Sequence, residues 1–191
     1  MTIVLEPTGR LSSLGDILNA IRQGDGRSKR LLYEQTVRYA ASVCSRYLSD
    51  DEDVKDALQE TYVTIFSKLD KSDFKNKDAL MTWIGRIAMT RSIDLLRRRR
   101  KDIMAFPGDL PDNLPDEEPD VSGIPQSTVL AAIRALPEGY RTVLNMYVFE
   151  QMSHKEIAKA LGITEGTSAS QYHRAKAVLA EALKNKKDEE Q

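Results

Sequence analysis

His154-Lys-Glu-Ile-Ala-Lys-Ala-Leu-Gly-Ile-Thr-Glu-Gly-Thr167 is the stretch from which the fold of the second half can be read. Ser153 stands just before it as an N-cap, and Glu156 follows three residues later, which makes a capping box. Ile157 and Leu161 are one helical turn apart and face inward. Ala158 is small, so a second helix can cross closely above it. Gly162 ends the first helix in a left-handed conformation, Ile163 plugs the corner, and Thr164 caps the next helix. An apolar residue, an alanine, a glycine four residues after that alanine and another apolar residue are what a tight helix-turn-helix requires. The second helix presents Thr167, Ala169, Ser170, His173, Arg174 and Lys176 on its polar side, where they could meet a major groove. A plain helical hairpin without a ligand is the blander reading, and the spacing favours the helix-turn-helix.

Two further helices precede this unit. Val129, Leu130, Ile133 and Leu136 form one stripe, and Val143, Leu144, Met146, Tyr147 and Val148 form another, with Pro137 opening the second of these helices at its first turn. The unit is expected to span 126–184, leaving 185–191 as a charged, fraying tail. Upstream, 102–125 holds five of the chain's seven prolines, and Asp102 to Asp120 carries seven acids and no base. Proline at that density precludes a helix and the acids oppose burial, so this segment reads as a semi-extended linker and the domain boundary.

The first half is also helical. Val54, Ala57, Leu58, Thr61, Tyr62, Ile65, Phe66 and Leu69 make one continuous stripe over 53–69. Asp50 to Asp53 place four acids at its N-terminus, where the helix dipole favours them. A polar loop over 70–78 leads to a long helix marked by Leu80, Trp83, Ile84, Ile87, Ala88 and Leu95. From Trp83 to Lys101 there are seven basic residues against Asp94 alone. Gly24-Asp25-Gly26 divides the apolar pattern of 14–48 into two helices, and 1–13 reads as a loose tail. The first domain is therefore expected over 14–101.

With 191 residues, 41% apolar and 30% charged, the chain has ordinary globular usage, and a net charge of −1 says nothing by itself about nucleic acid. The charge is blocked rather than balanced, and such blocks mark interaction surfaces. Cys44 is the single cysteine, and His154 and His173 lie 19 residues apart, so no disulfide or metal cluster is expected. No signal peptide and no 18-residue apolar run is present, which fits a reducing, cytoplasmic location and no direct membrane insertion. There is no phosphate-binding glycine loop, nucleophile elbow or paired catalytic carboxylate, so no enzyme, cofactor or small-molecule substrate is expected.

Gln59-Glu60-Thr61-Tyr62 followed by Thr82-Trp83-Ile84-Gly85-Arg86-Ile87-Ala88 and a basic helix end closely resembles region two of bacterial sigma factors. Leu136-Pro137-Glu138-Gly139-Tyr140-Arg141 and the helix-turn-helix resemble region four. The pair, with only a short linker between, is similar to the extracytoplasmic-function (ECF) sigma subfamily, over about residues 14 to 183. The resemblance implies an all-α protein of two small domains that binds bacterial core RNA polymerase and promoter DNA and has an anti-sigma partner. It implies polymerase binding by Asp53, Asp56, Gln59, Glu60 and Tyr62, facing the clamp helices of the largest subunit. It implies melting and reading of the minus-ten DNA by Phe74, Trp83, Arg86, Thr90, Arg91, Asp94, Arg97 and Arg98. It implies minus-thirty-five contacts from Lys155, Thr167, Ala169, Ser170, His173, Arg174 and Lys176. The linker would thread the RNA-exit path, its acids mimicking phosphates.

Several positions depart from the family pattern. Thr90 stands where asparagine is frequent. Ser168 replaces an apolar packing residue, Ala169 a base-reading cation, and Gln171 an arginine, so fewer minus-thirty-five contacts and weaker phosphate attraction are expected. Blander readings remain beside the functional ones: Trp83 as core, and Asp56, Gln59 and Glu60 as a solvated helix face. The competing function is a stand-alone helix-turn-helix regulator that binds an operator as a dimer. It would need a dimerisation surface or a sensor domain, and the first half offers neither.

Overall fold

The computed structural model describes residues 14–99 and 120–189. The all-α expectation holds, for every element among these residues is helical. They are α1 (Leu14–Arg22), α2 (Gly26–Tyr47), α3 (Asp51–Lys68), a 3-10 turn (Leu69–Lys71), α4 (Lys77–Arg99), α5 (Gln126–Ala135), α6 (Glu138–Val148), α7 (His154–Leu161) and α8 (Glu165–Glu189). They fall into two compact units: α1, α3 and most of α2 and α4 in one, α5 to α8 in the other. The expected tail at 1–13, residues 100–101 of the expected first domain and 102–119 of the expected linker lie outside the described residues.

In the first unit each helix start has a local cause. Gly24 adopts φ +89°, which ends α1. Asp25 then caps α2, accepting from the amides of Arg27 at 3.1 Å and Ser28 at 3.0 Å and from the Ser28 hydroxyl. These bonds, that of Ser28 first, hold the Asp25 carboxyl below the usual carboxylate range. Asp50 does the same for α3 through the amides of Glu52 and Asp53. So α3 begins at Asp51, three residues before Val54 opens the apolar stripe, because the cap and not the stripe sets its start. The polar loop is also shorter than expected: a 3-10 turn occupies 69–71, and Asn76 Oδ1 accepts from the Ala79 amide at 2.8 Å to start α4.

The core of this unit joins Ile17, Leu18 and Ile21 of α1, Leu32 and Ala40 of α2, Tyr62 and Ile65 of α3, and Leu80 and Ile84 of α4. Gly85 is buried, and a Cβ built on it would stand 2.6 Å from the Tyr39 hydroxyl. The glycine is what lets α4 pass so near α2. Arg22 Nη2 donates to the Ser72 carbonyl at 2.7 Å and ties the end of α1 to the loop before α4.

In the second unit Tyr140 and Leu144 of α6 and Ala175, Leu179 and Leu183 of α8 pack with Ile133 and Leu136. Arg141 is buried, and its Nη1 donates to the carbonyls of Arg134 at 2.7 Å and Leu136 at 3.2 Å. A charged side chain thus satisfies the open end of α5. Pro137 is the N-cap of α6 rather than its first helical residue, and its carbonyl accepts the first intrahelical bond, from Arg141 N. The tail expected at 185–191 is corrected: α8 remains helical through Glu189.

Candidate nucleic-acid and partner interfaces

The helix-turn-helix is built as its sequence requires. Ser153 N donates to Glu156 Oε2 at 2.9 Å, and Glu156 N donates back to Ser153 Oγ at 3.3 Å. The Ser153 amide, and with it the Ser153 hydroxyl at 2.7 Å, donates to the Glu156 carboxylate and holds it below its ordinary value. Gly162 sits at φ 71°, ψ 32°, and Ile163 N donates to the Ala158 carbonyl at 3.0 Å, closing α7. Thr164 Oγ1 accepts from Thr167 N at 3.0 Å and opens α8. Ile157 and Ala158 are buried against α8.

This arrangement sorts the expected minus-thirty-five residues. Lys155, Ala169 and Ser170 are exposed, and Thr167, His173, Arg174 and Lys176 are half-buried. The Thr167 hydroxyl pairs with Thr164 Oγ1 at 2.8 Å, and the Lys176 ammonium lies over the Tyr172 ring. Gln171 is buried, so the position that differs from the family arginine belongs to the inward stripe of α8. Ser168 is completely buried, and its hydroxyl meets His154 Nδ1 at 3.0 Å. The His154 ring stacks on Tyr147 of α6 with centroids 4.7 Å apart and planes 19° apart, and Tyr172 closes on Tyr147 at 4.3 Å. Sequence reading missed this cluster, although His154 and the misplaced polar Ser168 were its only signals.

In the first unit the five expected polymerase residues separate by burial. Asp56 and Gln59 are exposed and Glu60 is half-buried, whereas Asp53 and Tyr62 are buried. Asp53 lies in the first turn of α3 and Tyr62 in the core. Tyr62 meets Tyr33 edge-on at 4.6 Å, and burial pushes its phenol up to about 12. Beside them runs a groove of about 570 Å³, lined by Tyr33 of α2 and by Lys55, Leu58, Gln59, Tyr62, Val63 and Phe66 of α3. Val63 lines this groove and is 71% exposed. Sequence reading assigned no role to Tyr33, Lys55 or Val63.

Along α4, Arg86, Thr90, Arg97 and Arg98 are exposed, and Trp83, Arg91 and Asp94 are half-buried. Trp83, Arg86, Thr90 and Arg97 succeed each other at spacings of 3, 4 and 7 residues, which places them along one side of the helix. Trp83 and Phe74 have centroids 5.1 Å apart and both pack against the core, so the core reading of Trp83 describes part of its surface. Arg91 and Asp94 pair at 3.2 Å, and Arg86, Arg97 and Arg98 are the exposed arginines of this helix with described side chains. Thr90 Oγ1 donates to the Arg86 carbonyl at 2.7 Å. Of the basic run, Arg100 and Lys101 lie outside the described residues. Among the described residues no group of three or more His, Cys, Asp or Glu could hold a metal, and no helix is long and apolar enough to cross a membrane.

Known proteins match the chain in both halves. The family model described as Sigma-70 region 2 matches residues 32–102, and Sigma-70 region 4 matches 126–179. The RNA polymerase sigma-H factor of Pseudomonas aeruginosa is 28% identical over 179 residues, covering 87% of this chain and 92% of that protein. The ECF RNA polymerase sigma factor SigW of Bacillus subtilis is 26% identical over 155 residues, covering 75% and 82%. Among solved structures, the sigma factor RpoE in complex with the anti-sigma factor NepR from Bartonella quintana aligns with a TM-score of 0.49. Its identity is 17%, over 81% of this chain and 96% of that chain. With region two and region four matched in order and ECF factors among its relatives, the chain belongs to the ECF family of RNA polymerase sigma factors.

Proposed function

We propose that the protein is a non-catalytic, cytoplasmic alternative sigma factor that directs core RNA polymerase to a particular class of promoters. The observation that carries this reading is the order of two family regions in one chain, 32–102 and then 126–179. A stand-alone operator-binding regulator would use the helix-turn-helix and leave the whole first unit without a task.

In this reading α3 docks on the polymerase. Asp56 and Gln59 stand on its exposed face, and the adjoining groove offers apolar area that water leaves when a partner helix enters. The Trp83–Arg97 side of α4 engages the minus-ten element. Aromatic surface can stack on an unpaired base while Arg86, Arg97 and Arg98 hold phosphates. The start of α8 enters the major groove, with Ser170, His173 and Arg174 toward base edges and Lys155 toward the backbone. Asp53 and Tyr62 act from beneath, by fixing α3, and not by contact. Family membership also implies an anti-sigma partner. The docking role is tested by Asp56→Arg combined with Glu60→Arg. The variant should keep its helical circular dichroism and fail to co-purify with core polymerase; undiminished co-purification would remove α3 from the docking surface.

A further inference from the structure

Ser168 is a conflict in the helix-turn-helix. It is completely buried between the two helices, at a place where an apolar side chain would pack, and a buried hydroxyl without a partner costs about 1–3 kcal/mol. His154 resolves the conflict, since its Nδ1 lies 3.0 Å from Ser168 Oγ. The imidazole is not loosely placed. The Ser153–Glu156 capping box fixes the backbone at the first residue of α7, and stacking on Tyr147 of α6 fixes the plane of the ring. One side chain therefore joins α6, α7 and α8. The pair can bond in either protonation state: a neutral Nδ1 accepts from the serine hydroxyl, and a protonated one donates to its oxygen.

The position of Ser168 decides what that bond controls. Successive residues of an α-helix are about 100° apart, so holding Ser168 inward sets where Ala169, Ser170, His173 and Arg174 point. We propose that His154 is a positioning residue for promoter recognition, setting the rotation of α8 through Ser168 and thereby the register of its base-reading side chains. This rests on the reading that α8 enters the minus-thirty-five DNA. It also explains how a recognition helix with a polar residue in its seam keeps a defined orientation.

The test uses holoenzyme reconstituted from core polymerase and full-length protein. Promoter fragments are selected from a random pool by the wild-type holoenzyme. The readout is the ratio of affinities for these fragments and for the same fragments with the upstream element scrambled. His154→Phe keeps the stacking on Tyr147 and deletes the bond; it should lower the ratio at least about fivefold while core binding stays unchanged. His154→Asn, whose amide falls near the place of Nδ1, should keep the ratio within about twofold of wild type. His154→Phe with Ser168→Val, which makes the seam apolar on both sides, should restore it, and this double variant carries the test if His154→Phe alone does not fold. A loss of thermal stability in His154→Phe with an unchanged ratio would overturn the proposal and leave His154 a stability residue. Failure of the double variant to restore the ratio would overturn it too. A wild-type ratio of one would overturn the reading of α8 itself, and this proposal with it.

Discussion

The Tyr62 hydroxyl donates to Thr36 Oγ1 across 2.7 Å inside the first unit, beneath the groove between α2 and α3. The direction follows from counting protons. Thr36 has one hydroxyl hydrogen, and it goes to the Leu32 carbonyl at 2.7 Å, so Thr36 can only accept from Tyr62. The floor of the proposed docking groove is therefore held by a bond that joins α2 to α3.

The two ends of this bond should respond unequally. Tyr62→Phe removes the donor and leaves Thr36 still bonded to Leu32, which should cost about 1 kcal/mol. Thr36→Val removes the acceptor and leaves a buried phenol unpaired, which should cost about 1–3 kcal/mol. Urea unfolding followed by the fluorescence of Trp83, the single tryptophan and a member of this unit, measures both. Equal losses would mean that the proton assignment is wrong.

Gly85 and Tyr39 make a paired prediction. Gly85→Ala sets a Cβ 2.6 Å from the Tyr39 hydroxyl and should destabilise the unit by about 1–3 kcal/mol despite the higher helix propensity of alanine. Adding Tyr39→Phe removes the colliding oxygen and should recover most of that loss. The double-mutant cycle by urea unfolding gives the coupling, and strict additivity would contradict a direct contact.

Much of this was legible in the sequence, for local reasons. Ser153, Glu156, Gly162 and Thr164 punctuate the helix-turn-helix through bonds within four residues of themselves, and the structure has each where the sequence put it. The stripe of α3 likewise announced Ala57, Thr61, Tyr62 and Ile65 as buried. What stayed hidden depends on which helices cross. Tyr33 reaches the groove from α2, Ser168 finds its partner 14 residues away in α7, and Asp53 reads as a surface acid yet is buried in the first turn of α3. The persistence of α8 to Glu189 was missed because a charged sequence reads as fraying when it is equally able to continue a helix already nucleated.

The capping box gives a pH dependence with a definite sign. Backbone and hydroxyl bonds from Ser153 hold the folded Glu156 carboxyl below its ordinary value of 4.5. Its contribution is therefore fully present above that value and is lost as pH falls through the lower, folded one. Titration of the Glu156 side chain by NMR should show the depressed midpoint, and Ser153→Ala should return it to the ordinary glutamate range. A midpoint that does not move would mean that the box does not form in solution.

Arg174 is half-buried on α8 and stands among the proposed base readers. Arg174→Ala should lower holoenzyme affinity for a selected promoter by about 1 kcal/mol or more, with less effect when the upstream element is scrambled. An equal loss on both fragments would assign Arg174 to phosphate contact instead.

Run-off transcription with bacterial core RNA polymerase, over a pool of candidate promoters and with and without this protein, decides whether it is a sigma factor in action as well as in family. New start sites that appear only when protein and core are combined, with little binding to duplex DNA by the protein alone, are the expected result. No core binding and no new start sites, together with tight binding of the protein alone to duplex DNA, would contradict it and make the chain an operator-binding regulator.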